Sequence, residues 1–138
     1  MSEEQAQQLL YQMQMLESYA AGLEQKEGAI VTFLREAMSS IQSIKGIQKQ
    51  ESESLIPVGL GTFVKANVLG DAKVLLDVGA GILVEKDHDA AVNYLESRIK
   101  ELQVALNETG SQKHEVMSRL EHLKEEMNHF MQSSAPQQ

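Results

Sequence analysis

The chain has no cysteine and no tryptophan, and its three Phe and three Tyr amount to 4% of its 138 residues. Without thiols there is no disulfide scaffold, no Cys-type zinc site and no thiol chemistry. A compact core of this size usually leans on large rings, so this chain is not expected to be an ordinary globule. Basic residues are also few. Twelve Lys and Arg against twenty Asp and Glu give a net charge of −8, which disfavours binding to nucleic acid and to anionic membrane surfaces. The basic residues neither cluster nor interleave with aromatics. No run approaches the roughly 20 apolar residues of a bilayer span, and the opening Met1-Ser2-Glu3-Glu4 is acidic where a signal peptide would be basic. A soluble cytoplasmic protein is therefore expected, with no membrane contact.

Three segments are present. Residues 1–53 and 88–132 contain no proline and read as helices, while residues 54–87 are dense in Gly, Val and Leu; residues 133–138 read as a disordered tail. In the first arm Leu9, Leu16, Leu23, Ile30, Ala37 and Ile44 recur every seven residues. A companion series three residues on is Gln12, Tyr19, Lys26, Phe33, Ser40 and Ile47, with Met13, Ala20, Leu34 and Ile41 flanking the seam. In the second arm the two series are Val92, Ile99, Leu106, Lys113, Leu120, Met127 and Leu95, Leu102, Thr109, Val116, Leu123, Phe130. Six heptads per arm argue for a coiled coil. Ser2-Glu3-Glu4-Gln5 has the form of a capping box, Pro57 and the serines at 52 and 54 suggest a stop near residue 52, and Asp87 or Asp89 can cap the second arm. Both seams weaken near their middle, at Lys26-Glu27-Gly28 and at Thr109-Gly110 with Lys113. That coincidence predicts antiparallel pairing of the arms, with Ile47 opposite Val92, Lys26 opposite Lys113 and Leu9 opposite Phe130.

The middle segment repeats itself with a period of 20 residues: Val58-Gly59-Leu60-Gly61-Thr62-Phe63-Val64-Lys65 matches Val78-Gly79-Ala80-Gly81-Ile82-Leu83-Val84-Glu85. Each Gly-x-Gly between β-branched runs signals a hairpin turn. Strands are expected near 54–58, 62–68, 73–78 and 82–86. Such short ribbons leave exposed edges and are marginal alone, so they need other subunits to complete a shared sheet or barrel.

The stretches Leu55-Ile56-Pro57-Val58-Gly59-Leu60-Gly61-Thr62-Phe63-Val64 and Val74-Leu75-Leu76-Asp77-Val78-Gly79-Ala80-Gly81-Ile82-Leu83-Val84-Glu85-Lys86, set between two long helices, resemble the hairpin region of the prefoldin subunit family. The doubled Gly-x-Gly is similar to the alpha class, and the short chain to its archaeal members. The resemblance implies a mainly α fold with a small β region: a long antiparallel coiled-coil hairpin carrying two β-hairpins at its proximal end. Those hairpins would assemble into an intersubunit β-barrel, in a hetero-hexamer of two alpha and four beta subunits. It further implies an ATP-independent holdase chaperone, whose coiled-coil tips capture unfolded client polypeptides and pass them to a group II chaperonin. The oligomerisation residues would be Val58, Gly59, Gly61, Phe63, Val64, Val74, Leu76, Val78, Gly79, Gly81, Ile82 and Val84.

The predicted tip joins residues 3–16 to residues 123–132. Leu10, Tyr11, Met15 and Met131 fall off the seam and read as client contacts, since exposed apolar groups signify contact and Met adapts to many sequences. Leu9, Met13, Leu16, Leu123, Met127 and Phe130 suit seam packing and client contact alike. Neither Gly-x-Gly has the third glycine of a dinucleotide loop, nor the Gly-Lys-Ser/Thr of a phosphate loop. His88, His114, His122 and His129 lack metal-ligand spacing and read as solvated. With no Gly-x-Ser-x-Gly elbow either, no enzyme activity, cofactor or metal is expected. The alternative function is a structural assembly subunit that binds no client.

Overall fold

The computed structural model describes residues 2–47 and 52–133. The order of elements is α1 (Glu3–Gly46), β1 (Ser52–Gly59), β2 (Thr62–Val68), β3 (Val74–Asp77), β4 (Leu83–Lys86) and α2 (His88–Ser133). The chain divides into two compact units. One comprises Met1–Thr32 and Gln103–Gln138, the other Phe33–Leu102.

Both helices begin where side chains satisfy their free amides. Gln5 N–H donates to Ser2 Oγ at 3.3 Å while Ser2 N–H donates to Gln5 Oε1 at 2.9 Å, a reciprocal cap on α1. Asp87 Oδ1 accepts from Ala90 N–H at 2.8 Å and so caps α2. The other end of α1 differs from expectation. The helix stops at Gly46, with β1 under way by Ser52, rather than running to residue 53. The described helix thus ends well before Pro57. Pro57 instead lies inside β1, tolerated there because a two-stranded ribbon has only edge strands. At the far end of α2, Ser133 is still helical rather than part of a tail, and the rest of the predicted tail, 134–138, lies outside the described residues.

The α2 seam follows the expected two series: Leu120, Leu123 and Val116 are buried, and Leu106, Met127 and Phe130 half-buried. The α1 seam requires a correction. The row beside Leu9, Leu16, Leu23, Ile30, Ala37 and Ile44 is the one four residues on, namely Met13, Ala20, Glu27, Leu34 and Ile41, all half-buried. The row three residues on is turned out, leaving Tyr19 and Phe33 more than half exposed. The reason is apolar content. Four of the five residues in the buried row are apolar, whereas Gln12, Lys26 and Ser40 break the other. Within the first unit, Leu9, Leu23 and Ile30 of α1 are buried along with Val116, Leu120 and Leu123 of α2. Among the described residues of this unit the two helices cover each other, and burial of one such side chain contributes about 1.5–3 kcal/mol.

In the second unit the strands form two separate antiparallel hairpins, β1–β2 and β3–β4. Their turns share one conformation. Gly59, Leu60 and Gly61 have φ of 126°, 42° and 72°, and Gly79, Ala80 and Gly81 have 124°, 52° and 74°. Positive φ at both central residues is the primed turn that matches strand twist. The 20-residue repeat is thus a repeat of backbone geometry, extending to the two non-glycine residues held in the left-handed region. In β3–β4 the turn is fastened by Ile82 N–H to Gly79 O at 3.0 Å and Gly79 N–H to Asp77 Oδ1 at 2.9 Å.

The core of this unit lies between β3–β4 and the helices. Leu76 packs with Ile44, Ala91 and Val92, flanked by Val74, Ile41, Tyr94 and Leu95. The link before β3 is pinned by His88 Nε2, 2.9 Å from Ala72 O. β1–β2 takes no part in this core.

Candidate functional site

Two surfaces carry most of the large apolar side chains that the fold leaves exposed. The first lies at the start of α1 and the end of α2, both in the first unit. Leu9 and Leu123 are buried in the seam, and Met13, Leu16, Met127 and Phe130 are half-buried along it. Leu10, Tyr11, Met15 and Met131 are half or more exposed. Burial divides these side chains between seam and surface. Tyr19 departs from the expected seam series: it stands exposed one turn beyond Met15, which is itself one turn beyond Tyr11. Tyr11, Met15 and Tyr19 thus form an apolar strip at four-residue spacing along one face of α1. Two open hollows lie here: one of about 520 Å³ lined by Glu4, Gln7, Gln8, Tyr11 and Gln12, and one of about 300 Å³ lined by Glu126, His129, Phe130 and Ser133. Among the described residues no three or more His, Cys, Asp or Glu side chains group as a metal site.

The second surface is on the hairpins. In β1–β2, Leu55, Ile56, Val58, Phe63 and Val64 are 42–61% exposed, and Leu60 at the turn projects fully into solvent. In β3–β4 the alternation is one-sided. Val74, Leu76 and Val84 face the helices, and Leu76 is 8% exposed, so it belongs to the chain's own core. Leu75, Val78, Ile82 and Leu83 face outward. Leu55, Ile56, Leu75 and Leu83 were not singled out from sequence. Both members of the Leu75-Leu76 pair are apolar, so a two-residue period could not tell which one points in.

Between these surfaces in sequence, a polar layer interrupts the seam of the first unit. Lys113 Nζ lies 2.9 Å from Glu27 Oε1, so the residue of α1 at the Lys113 level is Glu27 and not Lys26. Lys26 is exposed. Opposite charges meet where the expected register would have set two lysines together. The separation is that of a hydrogen bond, but the approach is not aligned as one, and the solvent-shielded Oε1 has no hydrogen-bond partner among the described residues. Lys113 is its compensating charge. The Glu27 carboxylate, at hydrogen-bonding separation and through its charge, raises the Lys113 pKa above the 10.5 of an ordinary lysine. Lost hydration opposes this, and Glu24 adds a smaller pull in the same direction. Beside the pair, Thr109 is 1% exposed, and its hydroxyl donates to Ala105 O at 2.7 Å, so its burial leaves no orphan group.

Comparison with known proteins fits this architecture. Residues 14–133 match the family model described as prefoldin subunit. The prefoldin subunit alpha of Nitrosopumilus maritimus is 48% identical over 134 residues, covering 96% of this chain and 92% of that protein. The prefoldin subunit alpha 1 of Thermococcus kodakarensis is 33% identical over 96 residues, covering 68% and 66%. Among solved structures, the prefoldin beta subunit from Thermococcus strain KS-1 superposes with a TM-score of 0.66 at 22% identity, covering 96% of this chain and 95% of that one. A chain of filamentous PFD from Methanocaldococcus jannaschii gives a TM-score of 0.57 at 26% identity, covering 91% and 99%. The chain belongs to the prefoldin subunit family, and its relatives by sequence are alpha-class subunits.

Proposed function

We propose that the chain is a holdase chaperone subunit working without ATP, in the cytoplasm. Its hairpins join beta-class subunits in a hetero-hexamer of two alpha and four beta chains, closing a shared β-barrel. The paired helix ends then capture unfolded polypeptides and deliver them to a group II chaperonin. Family membership supports a chaperone-type subunit that assembles with beta subunits. The observation that carries client capture is the set of exposed apolar side chains Leu10, Tyr11, Met15, Tyr19 and Met131 on helices whose seam is already filled. Exposed apolar groups of this size suit weak contact with many sequences. Several such tips acting on one extended chain add up through effective concentration, with no deep pocket needed.

The test is a triple variant, Tyr11→Ser, Met15→Ser and Tyr19→Ser, assembled with beta-class subunits. It is expected to form the same oligomer while losing suppression of aggregation of a denatured protein by about tenfold, the scale on which loss of a few contact anchors is felt. An unchanged oligomer with unchanged suppression would instead favour a purely structural subunit.

A further inference from the structure

The seam between α1 and α2 repeats itself everywhere in the first unit except at its polar layer. Leu9, Leu16, Leu23 and Ile30 recur at seven-residue steps on α1, and Leu106, Leu120 and Met127 keep the same step on α2, with Lys113 in the gap. A shift of one helix by seven residues would set each of these apolar side chains beside another of the same kind. The apolar repeat by itself therefore does not choose a register, whereas a polar residue in such a seam does. We infer that Glu27 and Lys113 are a register lock, positioning residues that hold the start of α1 level with the end of α2. The inference rests on the client-capture reading above and names what aligns that site. One direction of shift brings Glu27 beside Leu106 and Lys113 beside Ala20; the other brings Glu27 beside Leu120. Either parts the two charges and sets Glu27 against an apolar residue, where a charge without its partner is strongly unfavourable. The observed register suits the layer from both helices. Lys113 Nζ is 2.9 Å from Glu27 Oε1, with the two side chains only 34% and 26% exposed. Gly110, one turn before Lys113, leaves room for the carboxylate: a Cβ there would lie 3.9 Å from Glu27 Oε2. Thr109 gives its hydroxyl to Ala105 O and so competes for neither charge. Eighteen residues from the pair, on either helix, come Leu9 and Met131. The lock thus sets Leu10 and Tyr11 at the level of Met131, and a seven-residue slip would separate them by about 10 Å along the helix axis.

The absence of cysteine makes the test clean. Gln8→Cys and Ser118→Cys, both at exposed positions, carry spin labels in the full chain assembled with beta-class subunits, and pulsed electron resonance reads their separation. With Glu27 and Lys113 intact, one distance is expected. Glu27→Leu together with Lys113→Leu makes the seam apolar at this layer, so thermal stability is expected to be unchanged or raised. The same double variant is expected to add a second distance, displaced by up to about 10 Å. It is also expected to lower suppression of aggregation of a denatured protein about threefold, because the two halves of the tip no longer engage a client together. Exchanging the charges, Glu27→Lys with Lys113→Glu, is expected to restore the single distance and the original suppression, which a merely structural role for either residue would not predict. A single distance in the leucine variant, or failure of the exchanged pair to restore it, would overturn the lock. A second distance with unaltered suppression would overturn the positioning role. The client-capture reading is judged separately: if the Tyr11, Met15 and Tyr19 triple variant keeps full suppression, that reading fails, while the spin-label distances still decide the lock.

Discussion

The two hairpins share a turn and differ in what lies beneath them. Each has a two-residue turn at positive φ, preceded by a glycine near 125°. Yet β3–β4 is anchored by Leu76 in a core with Ile44, Ala91 and Val92, and β1–β2 buries none of its described side chains. An isolated two-stranded ribbon is marginal in water. The comparison teaches that local turn chemistry sets the shape of both ribbons, while packing within the chain stabilises only one. The other leaves its apolar side chains exposed.

Deleting the anchor gives the largest expected effect. Leu76→Ala should lower the unfolding free energy of the chain by about 2–4 kcal/mol, measured by urea titration of the helical signal. Ile56→Ala, at the comparable place in β1, should change it by less than about 0.5 kcal/mol, as surface positions do. Similar values for the two would erase the distinction between the ribbons. Next in size is Phe63→Ser, which should leave the lone chain unaltered and weaken complex formation with beta-class subunits about tenfold, read by titration with mass detection.

Relieving the strained turn residues sharpens the contrast further. Leu60 and Ala80 both sit in the left-handed region, so glycine at either should stabilise its own ribbon by about 0.5–1 kcal/mol. Ala80→Gly is expected to raise the urea midpoint, because β3–β4 unfolds with the core. Leu60→Gly is expected to slow amide exchange within β1–β2 and leave the midpoint alone. The smallest effect concerns the Glu27–Lys113 ion pair and serves as a control. Lys113 has a raised folded pKa. Its stabilising contribution is therefore complete below pH 10.5 and lost as pH rises through the higher folded value. Lys113→Met should flatten the alkaline loss of helical stability without changing exchange in either hairpin.

Much of this was legible in the sequence. The heptads of the second arm, the capping box and both turns follow from local rules that tertiary packing did not override. The seam of α1 was misread because its apolar residues fit a three-residue and a four-residue companion row nearly as well, and only contact with α2 decides which row turns in. That choice exposed Tyr19 and Phe33 and brought Glu27 to Lys113. α1 ends at Gly46, short of the stop near residue 52 that Pro57 and the neighbouring serines suggest. At the candidate sites, seam and surface separated cleanly around Leu9 and Leu10, where charged and polar neighbours mark the faces. They did not separate at Leu75 and Leu76, where nothing in the local pattern says which side meets a helix.

The central claim is that β1–β2 is completed from outside the chain, and residue-resolved hydrogen exchange tests it most directly. In the chain alone, the amides of Phe63, Lys65 and Asn67 should exchange nearly as fast as in an unstructured peptide, while that of Leu76 is protected. Upon addition of beta-class subunits the first three should become protected and Leu76 should change little. Protection of Phe63, Lys65 and Asn67 already complete in the lone chain, or no gain in the assembled complex, would contradict the account.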